Sequence, residues 1–109
     1  MDENTFLELA DEMMAKLESA IETAADAADI DLDIEPKPGG ILELEFESGS
    51  KIIINRHAAA REIWVAAKSG GYHYRYDAGR WVNTRDGEEL TVAVSKRLSE
   101  QAGVPISLA

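Results

Sequence analysis

From residue 41 onward the apolar period of the chain is two, and this restricts the fold more than any other feature. Leu42, Leu44 and Phe46 alternate with Glu43, Glu45 and Glu47, the pattern of a strand with one buried face. Ser48-Gly49 marks a turn, and Lys51 to Arg56 reads as a second, isoleucine-rich strand. Residues 57–61 form a short alanine-rich connection. Glu62 to Lys68, Tyr72 to Tyr76 and Arg80 to Arg85 read as three further strands, separated by Ser69-Gly70-Gly71 and Asp77-Ala78-Gly79. Short strands joined by tight turns dictate an antiparallel meander, because parallel neighbours need long crossovers. In the third strand Ile63, Val65 and Ala67 share one face, and Trp64 and Ala66 point the other way. In the fourth, Tyr72, Tyr74 and Tyr76 lie opposite His73 and Arg75. Trp81 fits either face of its strand.

Ahead of this meander the period is helical. Phe6, Leu9, Ala10, Met13, Leu17, Ala20, Ile21 and Ala24 recur at steps of three and four. Thr5 and Glu8 are spaced as a capping box, which predicts a helix from about residue 5 to about residue 25. Residues 28–35 alternate acid with aliphatic, as an extended segment with its acids on one side. Pro36, Pro38, Gly39 and Gly40 then break the chain. After the strands, Asp86 and Glu89 suggest a second capping box. Leu90, Ala93, Val94, Leu98 and Ala102 keep helical spacing, and Gly103 and Pro105 mark the end. The expected class is α+β: a two-layer α/β sandwich with two helices on one face of an antiparallel sheet. The other face stays in water. Residues 1–109 are expected to form a single domain.

Charge is distributed unevenly. Residues 1–47 hold 15 acids against 2 bases, whereas residues 48–109 hold 9 bases against 6 acids. The net charge of −10 argues against nucleic-acid binding and points to cations or a basic partner protein, or to a face that serves only solubility. On the first helix Glu8–Glu12, Glu18–Glu22 and Glu22–Asp26 are like-charge pairs four apart, each costing about 0.2–0.5 kcal/mol. Only Glu12–Lys16 opposes them. Something other than helix stability shapes this face. The chain has no cysteine, which excludes thiol catalysis and cysteine ligation of zinc or iron–sulfur clusters by the chain itself. No apolar run approaches the roughly 20 residues of a membrane span. The start is acidic where a secretory signal would be basic, so a cytoplasmic protein with no membrane partner is expected.

Carboxylates are hard ligands suited to iron, manganese, calcium or magnesium. Asp29-x-Asp31-x-Asp33 begins like a calcium loop, but Glu35 and Pro36 stand where its glycine would fall. Acids spread along a helix cannot wrap one ion, so cation binding should be weak, multiple and electrostatic. His57 and His73 carry no ligand spacing and read as surface residues. No nucleophile motif or phosphate-binding glycine loop is present. Strand alternation places Trp64 on the solvent face, where it is either an interface hot spot or shielded by the stems of Arg56 or Arg75.

Several ordered motifs resemble the frataxin family, in its bacterial form. They are Phe6-x-x-Leu9-Ala10-Asp11, Gly49 to Arg56, Ile63-Trp64-Val65-Ala66, Gly70-Gly71-Tyr72-His73-Tyr74, Trp81, Asp86-Gly87-Glu88 and Gln101-Ala102-Gly103. The resemblance spans nearly the whole chain and implies a non-enzymatic, iron-binding regulator of iron–sulfur cluster assembly. It implies weak binding of Fe²⁺ or Fe³⁺ on an acidic ridge of Glu18, Glu22, Asp26, Asp29, Asp31 and Asp33. The cysteine desulfurase and the iron–sulfur scaffold protein would be the partners, met through Asn55, Arg56 and Trp64, with Glu43 and Glu45 as acids this sequence adds on the strand beside them. The implied state is a monomer able to form iron-dependent oligomers. Ser19, Thr23, Ala25 and Ala27 stand where relatives often carry acids, which thins the ridge at the helix end. A metal-independent acidic adaptor and a ferroxidase are the alternatives, although no Glu-x-x-His pair of the di-iron type is present.

Overall fold

The computed structural model describes residues 1–108. A 25-residue helix, α1 (Glu3–Ala27), leads into six strands. These are β1 (Leu32–Lys37), β2 (Ile41–Phe46), β3 (Lys51–His57), β4 (Glu62–Ala67), β5 (Gly70–Asp77) and β6 (Arg80–Asn83). Helix α2 (Leu90–Ala102) follows. The strands form one antiparallel sheet in the order β1-β2-β3-β4-β5-β6, so each pairs with its neighbour in sequence. Both helices pack on one face of it, as the apolar pattern requires.

Strand ends shift from the sequence expectation by one or two residues, and three larger differences each have a local reason. Helix α1 begins at Glu3, because the Asp2 carboxylate accepts the Thr5 N–H at 2.8 Å and caps the helix three residues earlier. Thr5 is a donor to that cap. The extended segment continues through Pro36 and Lys37 as a sixth strand, β1. An edge strand can hold Pro36 because its missing N–H leaves no ladder bond unmade on the outer side. Helix α2 is capped by Glu89, whose carboxylate accepts the Thr91 N–H at 2.9 Å, and Asp86 instead accepts the Glu88 N–H in the preceding turn. Its C-terminal end is as expected, with Gly103 left-handed at φ 74°.

The core lies between the layers. Phe6, Ala10, Met14, Leu17, Ile21 and Ala24 of α1 meet Leu42, Leu44, Ile52, Ile54, Ile63, Val65 and Tyr74 of the sheet. Leu90, Ala93, Val94 and Leu98 of α2 close the other half. Trp81 is a core residue, with its ring edge-on to Phe6 at 6.0 Å and to Tyr76 at 5.4 Å. Met14 is buried where the stripe predicted Met13, which is half-buried at the margin.

Candidate functional site: the acidic margin and the open sheet face

Helix α1 ends in a Schellman motif. The Ile30 N–H reaches the Ala25 carbonyl at 3.2 Å and the Asp29 N–H reaches that of Asp26 at 3.1 Å, with Asp29 left-handed at φ 54°. This turn folds the chain back along the helix and delivers residues 29–33 beside its last turns. Glu22, Asp26 and Asp31 thereby line one cleft of about 400 Å³, floored by Ala25, Ile30, Leu32 and Ile34. Asp29 and Asp31, with Glu47, border a second cleft of about 530 Å³. Glu18 lies further up α1, beside Asp11, Pro36, Lys37 and Gly40. Asp33 is exposed on the other side of β1, directly opposite Glu45 of β2.

The candidate residues therefore fall into separate groups. Among the described residues none of Glu18, Glu22, Asp26, Asp29, Asp31 and Asp33 forms an ion pair. Asp26 and Asp29 also stand at the negative end of the α1 dipole, with no basic residue in its last turn. These are hard oxygen donors of the kind iron takes. Among the described residues, however, no three acids or histidines converge closely enough to chelate an ion. The fit is to loosely held cations, not to a closed coordination shell.

Glu43 and Glu45 differ in being already paired. Glu43 meets Lys37 at 3.0 Å and Lys51 at 3.6 Å, and Glu45 meets Lys51 at 3.8 Å. The hydrogen bond from Lys37 holds the Glu43 carboxyl below its ordinary value, and the same bond holds the Lys37 ammonium above its own. Glu35 opposes Glu43 across β1 and β2, and Asp33 opposes Glu45, so four carboxylates share this end of the sheet with two lysines. Glu35 and Glu47 extend the acidic surface beyond the residues singled out from the sequence. Both stand in the alternations already read over residues 28–35 and 42–47.

Asn55 and Trp64 are register partners on the open face. Arg56 is not with them. It points to the helix side, where its guanidinium meets the Asp11 carboxylate of α1 at 2.7 Å. Gly40 makes this possible, since a Cβ there would lie 2.1 Å from the Arg56 Nε. Trp64 lies on the open face and is half-buried there. The His57 ring stacks on one side of its indole at 3.8 Å between centroids, and His73 on the other at 4.4 Å. Its Nε1–H donates to Glu62 at 2.8 Å. The shield is two imidazoles, not the arginine stems. Counting register from the turns places His57, Trp64 and His73 on neighbouring strands, a signal that residue spacing alone conceals.

A helix at each end of a six-stranded meander, both on one face, with an acidic margin and an open opposite face, defines a frataxin-type α/β sandwich. The family model for the Frataxin-like domain matches residues 1–104, and the chain belongs to that family. It is 53% identical to the iron-sulfur cluster assembly protein CyaY of Cupriavidus metallidurans over 99% of this chain and 96% of that one. It is 51% identical to the protein of the same name from Cupriavidus taiwanensis, over 98% and 96%. Among solved structures, the frataxin of Psychromonas ingrahamii superposes with a TM-score of 0.83 at 30% identity, covering 100% of this chain and 99% of that one. Trimeric frataxin of the yeast Saccharomyces cerevisiae, complexed with ferrous iron, gives 0.74 at 26% identity, covering 87% and 86%.

Proposed function

We propose that this chain binds iron weakly and regulates iron–sulfur cluster assembly in the cytoplasm, acting through contact with the cysteine desulfurase and the scaffold protein and not as an enzyme. The observation that carries the reading is the contrast among its carboxylates. Among the described residues Glu18, Glu22, Asp26, Asp29, Asp31 and Asp33 have no ion-pair partner, whereas Glu43 and Glu45 are paired with lysines. Unpaired acids at the negative end of a helix cost stability, and a cationic ligand recovers that cost. The names of the relatives and the ferrous complex of the yeast protein support the same reading. Asn55 and Trp64 form the partner surface, with Glu43 and Glu45 at its acidic end. Arg56 contributes from the helix side, as a brace for β3 against α1.

The test is an NMR titration with Fe²⁺, followed by addition of desulfurase to the same sample. Iron should shift the amide signals of residues 18–33 and leave those of β5 in place. Unshifted signals at roughly millimolar iron would overturn the iron assignment. The second reading, a metal-independent acidic adaptor, is supported by the lack of converging ligands. It is separated by measuring desulfurase binding in the presence of a chelator: undiminished affinity favours the adaptor, and loss of affinity favours iron.

A further inference from the structure

Three aromatic rings from three adjacent strands stand in one stack on the open face: His57 of β3, Trp64 of β4 and His73 of β5. The ring planes are within 14° and 10° of parallel, so each imidazole lies flat on the indole. Glu62 sits at the hub of the arrangement. It accepts the Trp64 Nε1–H at 2.8 Å, its carboxylate lies 3.6 Å from the His73 Nδ1, and it is the register partner of both His57 and Arg75. The neighbour of His73 on the β6 side is Thr84, whose N–H reaches the His73 carbonyl at 2.9 Å. Among the described residues, the charged and titratable groups at the strand positions beside the stack are thus His57, Glu62, His73 and Arg75. The helices lie on the opposite face and contribute none.

We infer that the His57–Trp64–His73 stack is a proton-responsive element on the docking face, so that contact with a partner through Trp64 weakens as the pH falls. Imidazole is the side chain that changes charge between about pH 5 and pH 8. With both rings neutral, Glu62 and Arg75 balance one another. With both charged, the patch carries two added positive charges, and the two rings respond differently. The His57 Nδ1 accepts the Ala60 N–H at 3.3 Å, so a proton there forces that bond open and loosens the turn after β3. A proton on the His73 Nδ1 points at Glu62, and the new pair competes with Trp64 for the same oxygen. Both changes act on the indole. The inference rests on the docking role proposed for Trp64, and a basic partner drawn to the acidic end of this sheet is repelled by the added charge.

The free chain provides the first measurement. Its two tryptophans give two indole N–H signals by NMR, and the one missing from Trp64→Phe belongs to Trp64. From about pH 8 to about pH 5 the Trp64 signal should move while that of buried Trp81 stays fixed. His57→Gln and His73→Gln should each remove part of the movement, and the double variant should abolish it. Thermal melts of the single variants establish that they fold. A fixed Trp64 signal, or one that moves equally in the double variant, overturns the proton response. Affinity for the desulfurase–scaffold complex should fall about threefold across the same range in the wild-type chain and not in the double variant. A pH-dependent Trp64 signal with pH-independent affinity would overturn the docking role of this face and leave the proton response standing.

Discussion

Asp29 combines a positive φ with a carboxylate at the negative end of the α1 dipole. Asparagine suits that conformation better and carries no charge. Asp29→Asn should therefore stabilise the fold by about 0.5–1 kcal/mol in urea unfolding while weakening the iron-induced shifts of its neighbours. Gly40 shows the reverse dependence. Gly40→Ala strains a φ of 75° and displaces Arg56 from Asp11, for an expected loss of about 1–2 kcal/mol in the same assay. Tyr74 is 1% exposed, and burial pushes its hydroxyl up to about 12. The unfolded chain releases that proton near pH 10 and the folded chain does not. The stability Tyr74 contributes is thus full below pH 10 and lost as the pH rises toward 12, about 2–3 kcal/mol in all. Tyr74→Phe should flatten this alkaline slope, as read from denaturation midpoints at a series of pH values.

At the scale of elements, the chain after α2 is strapped down by two serines of that helix. The Ser99 hydroxyl accepts the Ile106 N–H at 2.8 Å and donates to the Ile106 carbonyl at 3.0 Å, and the Ser95 hydroxyl accepts the Leu108 N–H at 3.0 Å. Ile106 is thereby buried against the core. Ser99→Ala should cost about 1–2 kcal/mol and speed amide exchange at Ile106 well before the rest of α2. Nothing in Val104-Pro105-Ile106 announces this strap, because it depends on hydroxyls a full turn apart meeting a returning chain. The strands and the two helices were legible for the opposite reason: their periods state which side each residue faces. Trp64 was placed on the open face by alternation alone, and Asn55 came in only with the resemblance. Arg56 was grouped with them, because a motif read as one contiguous run conceals that successive strand residues point to opposite faces. The helix starts were misread where a nearer carboxylate, Asp2 or Glu89, could reach the same orphan N–H groups.

The whole molecule keeps much of its charge in mutual repulsion. Asp33 faces Glu45 and Glu35 faces Glu43 across the first two strands, and acids recur along α1. Raising the salt concentration should relieve this, lifting Tm by about 2–5 °C, whereas a charge-balanced sandwich would change little. The same acids guard an exposed edge, since β1 presents Asp33, Glu35, Pro36 and Lys37 to any strand that approaches it. The order β1-β2-β3-β4-β5-β6 has a kinetic consequence as well. Every hairpin closes a short loop, so the sheet can zip from either end without waiting for a distant strand, and the low contact order favours rapid folding. During synthesis all six strands precede the thirteen residues of α2. The apolar side of the sheet under α2 stays open until that last helix leaves the ribosome, and this interval is when the nascent chain is most exposed to aggregation.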